Sequence, residues 1–162
     1  MVVADAFAWL REYRGAAFDA VIVDLPDPDT PALGRLYSAE FYGLVSSALA
    51  PGGRLVVQSG SPYSTPDAYW RTVSTVRSVG LSVTPYHVFV PSFGDWGYTL
   101  ARHGDRAPEL SLAPQTPPLR FLDADTLAAA AIFPRDRPPR ELPPSTLDAP
   151  HIVDDMRRGY QR

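Results

Sequence analysis

Two short, unbroken apolar runs rich in β-branched residues constrain this chain most: Phe18-Asp19-Ala20-Val21-Ile22-Val23 and Arg54-Leu55-Val56-Val57-Gln58. Continuous apolar character over so few residues is the mark of a strand covered on both faces, as in a parallel sheet, and not of a half-solvated hairpin strand. Between them, Ser38 is placed to cap a helix whose apolar positions Phe41, Tyr42, Leu44, Val45, Ala48 and Leu49 recur at helical spacing; Pro51-Gly52-Gly53 stops it. A crossover of that length makes the two strands parallel neighbours.

The same reading extends in both directions. Phe7-Ala8-Trp9-Leu10 with Tyr13 predicts a short amphipathic helix entered after Asp5 and left at Gly15, and Val2-Val3-Ala4 reads as a strand stub ahead of it. Thr65-Pro66 supplies an N-cap and a first-turn proline for a helix running to Gly80. Strand-like runs follow at 81–90 and 97–101, joined by a short loop and therefore antiparallel. Strand, helix, strand, helix, strand, strand is half of an open α/β sheet.

Ten of the 18 prolines fall between Pro108 and Pro150, which divides the chain near residue 103. We expect a partial Rossmann-like domain over 1–103 and, over 104–162, a Pro-rich extension with one short helix, Asp123 to Ala131, and a loosely docked final dozen residues. The composition closes several routes. No cysteine means no disulfide scaffold, thiolate metal site or cysteine nucleophile. A net charge of −3 argues against a nucleic-acid binder working through a basic face. No stretch approaches the roughly 20 apolar residues of a membrane span, and the first residues do not read as a signal peptide, so a cytoplasmic location is expected. All 15 basic residues are Arg, which a GC-rich coding sequence accounts for without functional meaning.

Ligands of open parallel sheets bind beyond the carboxyl ends of the strands. Asp24 directly follows the first run, and Asp27 lies three residues on in Asp24-Leu25-Pro26-Asp27-Pro28, where two prolines restrain the backbone. Gln58, with Ser59 and Ser61, ends the second run; Phe93 to Trp96 lie beyond the third; Asp5 follows the stub. Two carboxylates, an amide and aromatics suit a small polar cation, one carboxylate holding an ammonium group and another accepting its proton. The competing reading is that Asp24 and Asp27 cap a helix or stabilise a turn. His87, His103 and His151 lack metal-ligand spacing and read as structural or solvated. Asp154-Asp155 reads as a solvated pair, and Tyr63, Tyr69 and Trp70 as packing.

The strand and loop Phe18 to Pro28 resemble the active-site segment of the polyamine aminopropyltransferases, the spermidine synthase family, whose members carry an apolar strand ending in D-x-x-D-P. Asp5-Ala6-Phe7, Glu40-Phe41-Tyr42, Leu49-Ala50-Pro51-Gly52-Gly53, Gln58, Tyr86, Pro91-Ser92-Phe93 and Trp96-Gly97-Tyr98 follow in the family's order, as do Arg120-Phe121-Leu122 and Ile132-Phe133-Pro134 in the tail. The resemblance implies the C-terminal half of a methyltransferase-like sheet. It implies Asp24 as the general base that deprotonates the attacking amine, Asp27 as the diamine-binding carboxylate, Gln58 and Phe93 as lining of the polyamine channel, and Asp5 and Ala6 against the adenine of decarboxylated S-adenosylmethionine. The co-substrate is not permanently bound, no metal is implied, and the diamine would be putrescine or similar.

Two positions depart from the family: Ala6 stands where glycine is usual, and Phe93 where many members have tyrosine. The family's first half, with its Gly-rich loop and ribose-holding acid, does not precede Asp5 in this sequence. The resemblance therefore implies a homo-oligomer, or a second chain supplying that half. It also implies a bare edge at Val21–Val23, with self-association or poor solubility of the chain alone. Some bacterial relatives carry membrane spans ahead of the catalytic domain, which leaves the location of a longer parent open. Two other functions fit the same sheet: a small-molecule methyltransferase using S-adenosylmethionine, which has no need of paired aspartates, and a non-catalytic interaction module.

Overall fold

The computed structural model of the chain describes residues 1–161. Its centre is a four-stranded sheet in the order β1-β2-β4-β3, formed by β1 (Phe18–Val23), β2 (Leu49–Gly60), β3 (Ser82–Val90) and β4 (Gly94–Arg102). β1 and β2 are parallel; β4 is antiparallel to both β2 and β3. The Pro-Gly-Gly segment explains the one break in the parallel register: Phe18 pairs with Leu49 but Ala20 with Arg54, so 50–53 bulge between them.

Helices α1 (Ala6–Glu12), α3 (Ala39–Ala48) and α4 (Pro66–Ser78) cover one face of the sheet. Their apolar sides meet Val21, Val23, Leu55, Val57, Val83 and Ala101, the alternate residues that a pleated strand turns to one side. Asp5 caps α1 by accepting from Ala8 N at 2.9 Å, and Ser38 caps α3 by accepting from Phe41 N. A short helix α2 (Pro31–Gly34) and a 3-10 turn at Arg35–Tyr37 precede α3 and were not predicted. Thr65 stands at the N-cap of α4, but its hydroxyl bonds back to Ser61 instead of to the helix.

The structure corrects four expectations. β1 is covered on one face only: Val23 is buried, while Ile22, pointing the other way, is 77% exposed, because no layer packs on that side among the described residues. Residues 1–5 form no strand, and Met1, Val2 and Val3 are exposed. The final residues are not loosely docked. They form α6 (His151–Tyr160), which packs Ile152, Val153 and Met156 into a second core with Tyr37 and Ala68. Asp155 is 2% exposed rather than solvated, and pairs with Arg71 of α4 and with Arg158.

The approach of α6 to α2 depends on Gly34, where a Cβ would come within 2.5 Å of Val153 Cγ2. The Pro-rich lead-in threads between helices through the Ser145 backbone: Ala39 N donates to Ser145 O, and Ser145 N to the Thr75 hydroxyl oxygen. The predicted helix in the tail is α5 (Ala124–Ala130), capped by Asp123.

Candidate functional site

The carboxyl end of β1 lies between two clefts. Ile22, Val23, Asp24, Val56, Gln58, Val90, Phe93, Trp96 and Tyr98 enclose one of about 360 Å³ on the face that carries no helix. Strand register builds it: Ile22 pairs with Val56, and Gln58 with Tyr98, so their side chains share that face. The second cleft, also about 360 Å³, is almost wholly apolar and runs along the helix side of β1 from Trp9, Leu10 and Phe18 past Phe41 and Val45. Ala6 lines this second cleft. Ile22, Val23 and Asp24 line both, and Asp24 is the one ionisable residue among them.

Of the residues predicted from sequence, Asp24, Gln58 and Phe93 are therefore brought together in one cleft. Asp27 stands beside it rather than in its wall. Its carboxylate accepts from the Tyr160 hydroxyl at the far end of α6. Asp5 lies on the other side of β1, where its carboxylate is already engaged, capping α1 and pairing with Arg35, whose guanidinium covers the Phe7 ring.

Sequence reasoning missed Tyr37 and Tyr160. The Tyr37 hydroxyl, buried, lies 3.2 Å from Leu25 O, 3.0 Å from Pro26 O and 3.3 Å from Gln58 Oε1, so it ties the aspartate loop to the end of β2. Burial, and then the charges of Asp27 and Asp24, push its pKa well above the ordinary tyrosine value, so it remains a neutral donor. Tyr98 is raised in the same sense by burial and then by Asp24, which puts that carboxylate's field inside the cleft. Tyr98 stacks on Tyr86, ring centroids 5.3 Å apart, giving the cleft a firm aromatic floor. The order of these residues in the sequence contains no trace of this convergence, because Tyr37 sits on an unpredicted 3-10 turn and Tyr160 133 positions from Asp27.

The histidines stand apart from both clefts. His87 bridges Asp95 and the Ile132 carbonyl, His103 bonds Ser46 O, and His151 opens α6 exposed to solvent. Tyr69 and Trp70 are core residues, whereas Tyr63 is exposed under the Arg137 guanidinium.

An exposed carboxylate between an apolar cleft and an aromatic, amide-bearing one suits a reaction that joins two ligands, one of them cationic. Comparison with known proteins bears on the family. Residues 1–112 match the spermine/spermidine synthase domain. The chain is 62% identical over 162 residues to the polyamine aminopropyltransferase of Mycobacterium tuberculosis, and 52% identical over 165 residues to that of Corynebacterium efficiens. These alignments take in 99% and 100% of this chain, and 31% of the length of each relative. Among solved structures, the spermidine synthase of Thermotoga maritima superposes with a TM-score of 0.66 at 19% identity, over 83% of this chain and 46% of that one. A spermidine synthase in complex with the transition state analogue AdoDATO superposes with a TM-score of 0.67 at 22% identity, over 83% of this chain and 48% of that one. Sheet order, the aspartate loop and the match over 1–112 lead to one conclusion: this chain belongs to the spermine/spermidine synthase domain family.

Proposed function

We propose that this chain carries the amine-activating part of an aminopropyl-transfer site. The donor would be decarboxylated S-adenosylmethionine and the acceptor a diamine such as putrescine, both small charged metabolites of the cytoplasm. The observation that carries the proposal is the position of Asp24, the one ionisable group shared by the two clefts.

The adenosine part of the donor belongs in the apolar cleft beside Ala6, and the diamine in the cleft of Gln58, Phe93, Trp96 and Tyr98. Asp27 holds the ammonium group and Gln58 orients the chain. Asp5 reaches the adenine only by giving up Arg35. A diamine nitrogen is protonated near neutral pH and cannot attack in that state. Asp24 accepts its proton; the freed lone pair then forms a bond to the aminopropyl carbon next to the sulfonium. The carbon–sulfur bond breaks with its electron pair going to sulfur, which leaves as the neutral thioether methylthioadenosine. Phe93 supplies apolar contact where a tyrosine would add a hydroxyl, so this chain has one hydrogen-bond acceptor fewer for the distal ammonium. The family's other elements come from a different chain or from a longer protein.

The test uses a chimera in which this chain replaces the matching 31% of the M. tuberculosis relative, with putrescine and the decarboxylated donor. Methylthioadenosine is the expected product, and Asp24→Asn should lower turnover by about 10²- to 10⁴-fold, the usual weight of a general base. Release of S-adenosylhomocysteine from S-adenosylmethionine, or turnover indifferent to Asp24→Asn, would sink the reading.

A further inference from the structure

Helix α6 lies beyond the residues that the family match covers, which end at 112, yet it reaches the loop carrying both aspartates. The Tyr160 hydroxyl donates to Asp27 Oδ2, and Arg157 Nε donates to the carbonyl oxygen of Asp29 at 2.8 Å. The helix is itself anchored. Buried Asp155 pairs with Arg71 and Arg158, and Arg71 also donates to Pro143 O at 2.7 Å.

A carboxylate on a loop turns freely about two bonds, and its conformer decides where its charge points. A donor fixed on Oδ2 removes that freedom and leaves Oδ1 as the oxygen for a cation. The donor also stays a donor. Burial first, and then the bond to Asp27, push the Tyr160 pKa up to about 12, so the hydroxyl keeps its proton across the physiological range.

We infer that Tyr160 is a positioning residue for Asp27, so that the tail helix, and not the sheet alone, sets the affinity for the diamine. The inference rests on the proposed role of Asp27 as the diamine's carboxylate. A family member with this loop but without such a helix would hold the same aspartate less firmly.

Tyr160→Phe keeps the ring and removes the hydroxyl, and two measurements on it test the inference. In the full chain, amide exchange at Asp29, whose N–H donates to Asp27 O at 2.8 Å, followed by NMR, should speed by roughly tenfold while the melting temperature and the protection of α6 are unchanged. In the chimera, KM for putrescine should rise by about 3- to 10-fold with kcat within about twofold, the split expected when a binding contact is lost. Against an Asp27→Asn background the same substitution should do nothing further, because the two changes act through one contact. Normal turnover by the chimera, with wild-type KM and wild-type loop exchange in Tyr160→Phe, overturns the inference and leaves the proposed function standing. A chimera without turnover fails the proposed function instead. The exchange rates then decide alone: faster loop exchange supports Tyr160 as the brace of Asp27, and unchanged exchange overturns it.

Discussion

Two buried tyrosines five residues apart answer opposite needs. Tyr37 has three oxygen neighbours for one hydroxyl proton, and the Gln58 amide can turn to donate its N–H to the Tyr37 oxygen, so the group is well satisfied. Tyr42, fully buried in α3, finds no hydrogen-bond partner among the described residues. Removing the two hydroxyls should therefore act with opposite sign. Tyr37→Phe should lower stability by about 1–3 kcal/mol because the loop carbonyls and the Gln58 amide lose a buried partner. Tyr42→Phe should raise it by about 1 kcal/mol, since an unpaired hydroxyl is taken out of the core. Urea unfolding of the two variants checks both signs at once. The same groups govern alkaline behaviour. Burial raises the pKa values of Tyr37, Tyr42, Tyr69 and Tyr86, the last to about 12, from 10.0 in the open chain. Between those values the unfolded chain loses protons that the folded one keeps. Stability should then be level below about pH 10 and fall as pH rises through the raised values. A series of melting temperatures from neutral to strongly alkaline pH reads this directly, and the Tyr42→Phe variant should fall less steeply than the parent.

Helix α6 is the element whose fixing depends most on distant residues, and a single ion pair shows it. Asp155 and Arg71 are 2% and 8% exposed, so replacing Asp155 leaves Arg71 as a buried charge with only the Pro143 carbonyl to bond. Asp155→Asn should cost about 3–5 kcal/mol in thermal or chemical unfolding, and Arg71→Met with Asp155→Leu should recover part of it, since the desolvation cost disappears with the charges. Gly34→Val should weaken the same docking by about 1–3 kcal/mol through overpacking against Val153. This element also marks what could be read without a structure. Ile152, Val153, Met156 and Tyr160 stand at helical spacing, so the helix was legible, but the prolines before it drew the reading toward a loose tail. An acid at 155 on that apolar stripe was the sign of a buried partner. Its cation lies 84 positions away, where no local pattern points to it. α1, α3, α4 and all four strands followed from periodicity and caps, because their causes are local. That Asp24, Gln58 and Phe93 lie at one rim of the sheet was legible too, since a strand's carboxyl end is fixed by where the strand stops. The bracing by Tyr37 and Tyr160 did not, because it exists only once the loop, the 3-10 turn and the last helix are packed together.

The whole molecule places a strand of buried composition at the rim of its sheet. β1 pairs with β2 alone among the described residues, its outer backbone edge is open, Ile22 is 77% exposed and an apolar cleft runs beside it. Natural sheets protect such an edge with charge, proline or a covering element, and here Asp19 is the one charged residue within the strand. A second copy of the chain offers the same edge. Two β1 strands meeting about a twofold axis would run antiparallel, each satisfying the other's free N–H and C=O groups and burying the two Ile22 side chains. The chain alone should then sediment as a dimer or larger at concentrations of about 10–100 μM, the range where modest strand pairing is populated. Ile22→Lys places charge on the open face with little cost to the fold, because the side chain is already in solvent, and should give a monomer whose melting temperature matches that of the unsubstituted chain diluted until it dissociates. The chimera sharpens the point. If the remainder of the M. tuberculosis relative lies against β1, association through this edge should vanish there and Ile22→Lys should destabilise the fold, because a residue harmless on an open face becomes a buried charge once that face is covered. A parent chain that stays monomeric at every concentration, with slow amide exchange along β1, would mean that the edge is protected by something other than pairing.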